Sequence, residues 1–303
     1  MKLSSIALSL ALLAGGPGAH ALDCSMQGYK PVNGVKVTPH SAGVEFIWPG
    51  EHGQQLRARF ALRDGEPIIA ELAAQQPGAA WIVLGKNLTP DFEVTTGKRR
   101  ISITERTILK KLNLDTPENE ERYKWNVFWD AHLVITGHSH LTVPARSASE
   151  ITRANVSYKS DSCKVTSDGV HVSVTFNGLT LGIFAGDLQF TIYKGSSLLR
   201  QEAIAKTYAP DVAYIYKAGL KGFAIHDDTK LAWRDTSQVW QQYEFGGDLN
   251  QQPVNLRARN RLEILSAGPG SLGVFPPPHK FFFARENEVN LGYVYYRKDT
   301  PTS

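Results

Sequence analysis

The sequence is poor in cysteine and lacks the motifs that identify most enzyme classes. Its 303 residues include only two cysteines, Cys24 and Cys163, without CxxC spacing, which excludes a zinc ribbon and a thioredoxin-type dithiol. No phosphate-binding loop, GxSxG elbow, HExxH helix or dinucleotide fingerprint occurs. The sequence therefore identifies no reaction, and it favours a chain with no cofactor and no activity of its own.

Long apolar runs and blocks of like charge are also absent after the first 21 residues. No stretch there approaches the ~20 apolar residues of a membrane-spanning helix, so we expect no membrane span. The net charge is +4 without any run of five like charges, whereas a nucleic-acid-binding surface needs clustered lysine and arginine. We therefore expect no nucleic-acid partner.

Residues 1–21 have the pattern of a secretory signal peptide. Lys2 precedes a short apolar run over residues 6–14, and small residues stand at Ala19 and Ala21 before the expected cleavage point. Cleavage there would remove 21 of the 303 residues and leave 282, enough for one large domain. We expect a secreted or periplasmic protein.

Export would place the two cysteines in an oxidising compartment, where a disulfide can form. A Cys24–Cys163 bridge would close a long loop and stabilise the fold by roughly 4 to 5 kcal/mol at most, by restricting the unfolded chain. Two free thiols are the alternative, but neither cysteine has a convincing histidine partner. The bridge is the favoured prediction.

Alternation of apolar and polar residues dominates the chain and predicts an all-β protein. Residues 170–176 alternate strictly, and Asn177-Gly178 then predicts a hairpin turn into a return strand at 179–184. Strands are also predicted at 43–48, 55–63, 67–72, 81–84, 92–95, 100–104, 187–193, 198–205, 213–216, 222–225, 231–234, 261–265, 280–284 and 289–296. Many short strands separated by turns indicate a large antiparallel β-sandwich. We expect one domain over residues 22–303, and any seam within 112–160.

Two short helices are expected to interrupt the strands. Thr116-Pro117-Glu118 has an N-cap residue, a proline at the first helical position and an early acid, which predicts a helix through Tyr123. Residues 147–150 have the spacing of a capping box before residues 151–154, which predicts a second helix. Both helices would cover the sheet or connect its two halves.

Aromatic residues provide one candidate ligand site. Trp125 and Trp129 are four residues apart and would share a helix face, where they could stack on a sugar ring. The alternative, that both pack the helix onto the sheet, is favoured. His138 and His140, close to His132, could ligate a metal, but no third ligand stands at a zinc-type spacing, so we expect no metal site.

Ionisable residues and aromatics are concentrated between residues 225 and 244. A general acid and base could be drawn from this set, and glycoside hydrolysis would need two of its carboxylates at a fixed separation. The favoured alternative is that the paired aspartates form a hairpin turn and that Arg234 and Asp235 form an ion pair. The candidates are His226, Asp228, Asp235 and Glu244 for catalysis, and Trp233 and Arg234 for ligand contact.

Two segments resemble known families. The segments 186–193 and 198–202, GDLQFTIY and LLRQE, resemble a strand pair of the galactose-mutarotase-like β-supersandwich domains of polysaccharide-active enzymes. The tail, 279–285 with 292–299, is similar to the front part of uncharacterised secreted bacterial proteins in which a PHP-like metal-dependent domain follows. The first resemblance implies a supersandwich-like fold and a link to carbohydrate; the second implies that a C-terminal domain is missing from this chain.

Three functions follow as hypotheses. The first is a secreted module that binds a polysaccharide or oligosaccharide or supports a catalytic partner domain. The second is a hydrolase, lyase or epimerase that acts on sugars through a histidine and carboxylate cleft. The third is a ligand-free structural front domain of a larger protein.

Overall fold

A computed structural model describes residues 24–41, 43–99, 101, 103–123, 151–245, 254–277 and 291–296. β-Strands dominate these residues, with only two short α-helices, which confirms the predicted all-β sandwich class. The expected signal peptide lies outside the described residues.

Among the N-terminal strands, buried side chains alternate with more exposed ones most clearly at residues 44–49 and 55–60. The N-terminal strands are followed by two helices in the chain. The strands are β1 (Cys24–Gly28), β2 (Lys36–His40), β3 (Gly43–Pro49), β4 (Gln55–Arg63), β5 (Glu66–Gln75) and β6 (Trp81–Lys98), with a 3-10 turn at Glu51–Gly53. The helices are α1 (Ile103–Lys111) and α2 (Pro117–Tyr123).

The strands of the second half fall into three sheets. Those that join the N-terminal strands are β7 (Thr152–Tyr158), β8 (Cys163–Ser167), β9 (His171–Leu181), β10 (Phe184–Tyr193), β11 (Leu199–Lys206) and β12 (Val212–Lys221). Those outside that sheet are β13 (Lys230–Arg234), β14 (Trp240–Glu244), β15 (Val254–Arg259), β16 (Glu263–Ala267), β17 (Gly270–Val274) and β18 (Leu291–Tyr296).

One twelve-stranded sheet, the large sheet, forms most of the fold. Its order is β1-β8-β9-β7-β6-β5-β4-β3-β2, with β10 and β11 continuing from β9 and β12 pairing with β6. All its neighbours are antiparallel except β1 and β8, which run parallel. A four-stranded sheet, β14-β13-β16-β17, is called the small sheet here, and β15 and β18 form a separate pair.

The large sheet folds over so that its two halves enclose one apolar core. Phe60 of β4 lies against Phe190 of β10, with ring centroids 4.5 Å apart. Trp48 is buried and donates its indole N–H to the Ser196 carbonyl at 3.0 Å, because a buried polar atom needs a partner. The result is a sandwich that is nearly a closed barrel.

The predicted disulfide is confirmed. Cys24 and Cys163 face each other in the parallel β1–β8 pair and are bonded. Both cysteines are buried. Strand β1 has β8 as its partner in the sheet, so the bridge attaches this strand covalently as well as by its ladder.

The hairpin predicted at Asn177-Gly178 is wrong. Strand β9 continues through both residues, and the chain reverses at Gly182, whose φ is +62°. Before Asn177, β9 pairs with β8; after Gly178, it pairs with β7 on the same side. The Asn-Gly pair therefore forms an irregularity where β9 changes partner. Gly178 has a φ of +76°, and glycine accepts a positive φ in such an irregularity as readily as in a turn.

The helix predictions are half right. Helix α2 begins at Pro117, and the Thr116 hydroxyl accepts the Asn119 N–H at 3.2 Å as an N-cap. The helix predicted to enter residues 151–154 is wrong, because Thr152 begins strand β7, which bonds to β6 and β9. The strand predicted at 100–104 is also wrong, since helix α1 begins at Ile103.

Candidate functional site

The turn between β13 and β14 sets the geometry of the candidate site. The Asp235 carboxylate accepts the backbone N–H groups of Ser237 at 2.9 Å and Val239 at 3.0 Å, and the Gln241 side chain donates to it at 2.8 Å. These bonds, the Gln241 bond first, lower the pKa of Asp235, because hydrogen bonding favours the ionised form. The turn aligns Arg234 opposite Trp240 in the antiparallel ladder.

A second turn approaches from the end of β15. Asn260 and Arg261 both have positive φ, 56° and 53°, and the Arg261 N–H reaches the Ala258 carbonyl at 3.1 Å. Asparagine accepts this backbone conformation more readily than most residues. The turn places Arg259 and Asn260 beside the start of β16.

These two turns enclose a small pocket of about 190 Å³, lined by Arg234, Trp240, Arg259, Asn260 and Leu262. We call it the Arg–Trp pocket. The Arg234 guanidinium lies 5.5 Å from the centroid of the Trp240 ring, within cation–π range. The Trp240 side chain is 55 % exposed, which is unusual for the largest apolar side chain and leaves its ring accessible to a ligand.

The described lining of the pocket includes two arginines and no acidic residue. Among the described residues, neither Arg234 nor Arg259 forms a salt bridge. Asp235, the carboxylate next to Arg234 in sequence, is instead bonded within its own turn, so the Arg234–Asp235 ion pair predicted from the sequence does not form. A guanidinium presents up to five N–H donors, so the pocket offers many donors beside one apolar ring.

A larger cleft of about 360 Å³ lies between β6 and the small sheet. His226 and Asp228 both line it, together with Lys86 of β6. The Asp228 carboxylate accepts the Gly268 N–H at 2.9 Å and so holds the β16–β17 turn. The His226 backbone is bonded to Thr229 in a tight turn, which agrees with the predicted turn at the two aspartates.

The other two catalytic candidates do not join His226 and Asp228. Glu244 pairs with Lys230, its carboxylate 2.8 Å from the ammonium, at one end of the β13–β14 hairpin. Asp235 lies at the opposite end, about 16 Å away for five residues of strand. The two carboxyl groups of a glycosidase stand only ~5 to 9.5 Å apart, so Asp235 and Glu244 cannot act as such a pair.

Trp233 points to the other face of the small sheet from Trp240. It is only partly exposed and packs beside Leu231 and Leu265 in a small apolar cluster. Its ladder neighbour is Glu263, whose Oε1 is buried and has no hydrogen-bond partner in the described part of the chain. Burial raises the pKa of Glu263 to about 7, because the charged form loses its hydration.

Several candidates from the sequence lie outside the described residues. These are Trp125, Trp129, His138 and His140. Within the described ranges, no three His, Cys, Asp or Glu side chains come together as metal ligands do.

Sequence reasoning found Arg234 but missed Trp240, Arg259 and Asn260. Strand β14 reads WQQYE and its residues are all exposed, so it lacks the apolar alternation from which strands were predicted. A usable signal was present, since Arg234-Asp235 and Trp240 flank a short polar stretch typical of a hairpin turn. That stretch brings a cation and an aromatic ring together.

Comparisons with known proteins give no functional information. No protein-family model matches the chain, no curated protein matches it, and no solved structure matches its fold. In the part of the chain that the structure describes, no helix is both long and apolar enough to cross a membrane.

Proposed function

We propose that this chain is an exported carbohydrate-binding module and that the Arg–Trp pocket is its sugar-binding site. The observation that carries the proposal is the exposed ring of Trp240 in a pocket with two arginines and an asparagine. The resemblance of two strands to supersandwich domains of polysaccharide-active enzymes points in the same direction.

The chemistry of the pocket matches that of a sugar. One face of a pyranose ring carries C–H groups and packs against an aromatic ring, whereas its hydroxyls need polar partners. Trp240 supplies the aromatic surface, and Arg234, Arg259 and Asn260 supply hydrogen-bond donors. At about 190 Å³, the pocket is below the ~300 to 1,000 Å³ typical of small-molecule sites, so it suits one or two sugar units of a longer chain.

Export fits the same proposal. The Cys24–Cys163 disulfide is of the kind that persists in oxidising compartments, and residues 1–21 have the pattern of a signal peptide. An exported protein is exposed to the glycans outside the cell membrane. A secreted or periplasmic location therefore supports a glycan partner.

The test is calorimetric titration of the disulfide-bonded chain with a panel of neutral and acidic oligosaccharides. We expect saturable binding that weakens about 30-fold or more in Trp240→Ala, because losing a central aromatic contact costs at least ~2 kcal/mol. Tyr208→Ala is the matched control, since Tyr208 is also exposed (86 %) and lies beside a cation, Lys206, but does not line the pocket.

Two outcomes would contradict the proposal. If no oligosaccharide binds to the folded chain, the hypothesis of a ligand-free structural domain is preferred. If binding is lost equally in Trp240→Ala and Tyr208→Ala, the Arg–Trp pocket is not the site. The circular dichroism of each variant should match that of the wild type, since both side chains are exposed.

A sugar-active enzyme is the second candidate, favoured by one observation. His226 and Asp228 line the same cleft as Lys86, so a base, an acid and a cation share one cavity. The test is to follow the release of reducing ends or the formation of a new double bond in the oligosaccharides that bind. Turnover that disappears in His226→Ala would support this activity, and binding without turnover would contradict it.

A further inference from the structure

We infer that the sugar recognised by the Arg–Trp pocket carries a carboxylate, as a uronic acid does. This inference rests on the proposed function, since it names the class of sugar that the same pocket selects. It follows from the charges of the pocket.

Five arginines elsewhere in the described residues pair with a carboxylate, whereas the two arginines of the pocket do not. Neither Arg234 nor Arg259 has an ion-pair partner among the described residues, although both line one small cavity. The arginines paired elsewhere are Arg57 with Glu71, Arg59 with Glu45, Arg99 with Glu121, Arg106 with Glu120 and Arg200 with Glu202. The pocket therefore has two cations that no acidic side chain of the described residues compensates.

The acid next to Arg234 in sequence, Asp235, is held in place by other bonds. Both oxygens of Asp235 accept hydrogen bonds in the β13–β14 turn, from Ser237, Val239 and Gln241. These bonds keep its carboxylate with the turn and not with Arg234. Asp235 is thus next to Arg234 in the sequence, but its carboxylate stabilises the turn and does not pair with Arg234.

Two guanidinium groups line one pocket, so their combined positive charge attracts an anionic ligand. A neutral sugar does not gain this attraction. A carboxylate also matches the planar fork of N–H donors on a guanidinium, which can bind both of its oxygens. The ring of a uronic acid could then contact Trp240, which lies beside Arg234.

The experiment compares acidic oligosaccharides with chemically matched neutral ones. The full disulfide-bonded chain is titrated with oligouronides of several linkages and with the same oligomers after reduction of each carboxyl group to an alcohol. We expect the acidic form to bind at least tenfold more tightly, and the difference to shrink in 0.5 M salt, where charges are screened beyond ~4 Å.

Substitution of each arginine tests whether the two arginines of the pocket cause the difference in affinity. Arg234→Gln and Arg259→Gln should each weaken binding of the oligouronide about tenfold, as expected for a lost charge-assisted hydrogen bond, and should weaken binding of the reduced oligomer less, because glutamine keeps an N–H donor but loses the charge. Arg200→Gln is the matched control, because it removes the same charge from β11, away from the pocket. It should leave both affinities unchanged.

The possible results separate the two proposals. Equal affinity for acidic and reduced oligomers would overturn the inference of an acidic sugar and leave a glycan-binding module standing. Binding of sulfated oligosaccharides without binding of uronides would overturn it as well, as would tighter binding of single-stranded DNA. An absence of binding to every oligosaccharide would overturn both proposals.

Discussion

Replacement of Gly178 by alanine tests the structural account of the strand β9. Gly178 has a φ of +76°, and a Cβ atom added there would lie 2.3 Å from the Lys159 carbonyl oxygen. The same glycine accepts the Lys159 N–H through its own carbonyl at 2.9 Å. The close approach is thus between two backbone segments, and no flexible side chain can move to relieve it.

The expected cost has two parts. Forcing alanine into a left-handed backbone conformation costs roughly 1 to 2 kcal/mol. Moving the Lys159 backbone away weakens its bond to Gly178 and the neighbouring Ser160–Gly65 bond of 3.0 Å, each worth about 1 kcal/mol. We therefore expect Gly178→Ala to lower the free energy of unfolding by about 3 kcal/mol.

Gly195→Ala is the matched control. Gly195 has nearly the same φ, +77°, but no atom of the described residues lies within 4 Å of its added Cβ atom, so this variant should lose only about 1 to 2 kcal/mol from backbone strain. Both are measured by urea denaturation followed by tryptophan fluorescence. Equal losses in the two variants would refute the claim that β9 passes close to the backbone of Lys159 and Ser160.

Two further predictions concern the disulfide and a buried carboxyl. Cys24→Ser with Cys163→Ser opens a bridge between residues 139 apart and should lower the free energy of unfolding in urea by up to about 5 kcal/mol; a loss below about 1 kcal/mol would contradict it. Burial raises the pKa of Glu263 to about 7, above the ~4.3 of an unfolded chain. The folded protein is therefore most stable with respect to this group below about pH 4, where Glu263 is neutral, and loses that stability as the pH rises to 7. Glu263→Gln should therefore raise the urea midpoint at pH 8 and leave it nearly unchanged at pH 4, and an equal effect at both values would argue against this titration.

Local patterns predicted the class of the fold and some of its elements. The alternation in residues 170–176 gives buried Val172, Val174 and Phe176 in β9, because period two matches the geometry of a strand. The N-cap at Thr116 similarly located helix α2. In each case the sequence pattern and the element that it predicts lie within one segment of about ten residues.

Long-range pairing could not be predicted in the same way. Asn177-Gly178 has the composition of a hairpin turn, yet the Asn177 side chain binds the segment between β7 and β8. Its amide oxygen accepts the N–H groups of Asp161 and Ser162, both at 3.3 Å. Whether positive φ at Gly178 reverses the chain or lets two strands share one partner depends on segments far away in sequence. Residues 177 and 178 alone do not contain that information.

The candidate site could not be predicted from the sequence for a related reason. Trp233 and Trp240 flank one turn, and only the register of the β13–β14 ladder decides which ring faces solvent. Because Arg234 pairs with Trp240 and Trp233 pairs with Gln241, the two tryptophans lie on opposite faces of the small sheet, and Trp233 takes the face that packs against Leu231. A turn one residue longer or shorter would place Trp240 on the packed face and remove its ring from the Arg–Trp pocket.

The hydrogen bonds of Asp235 fix the length of this turn and therefore the position of Trp240, although Asp235 does not line the pocket. We expect Asp235→Ala to weaken glycan binding because Trp240 would no longer be aligned with Arg234.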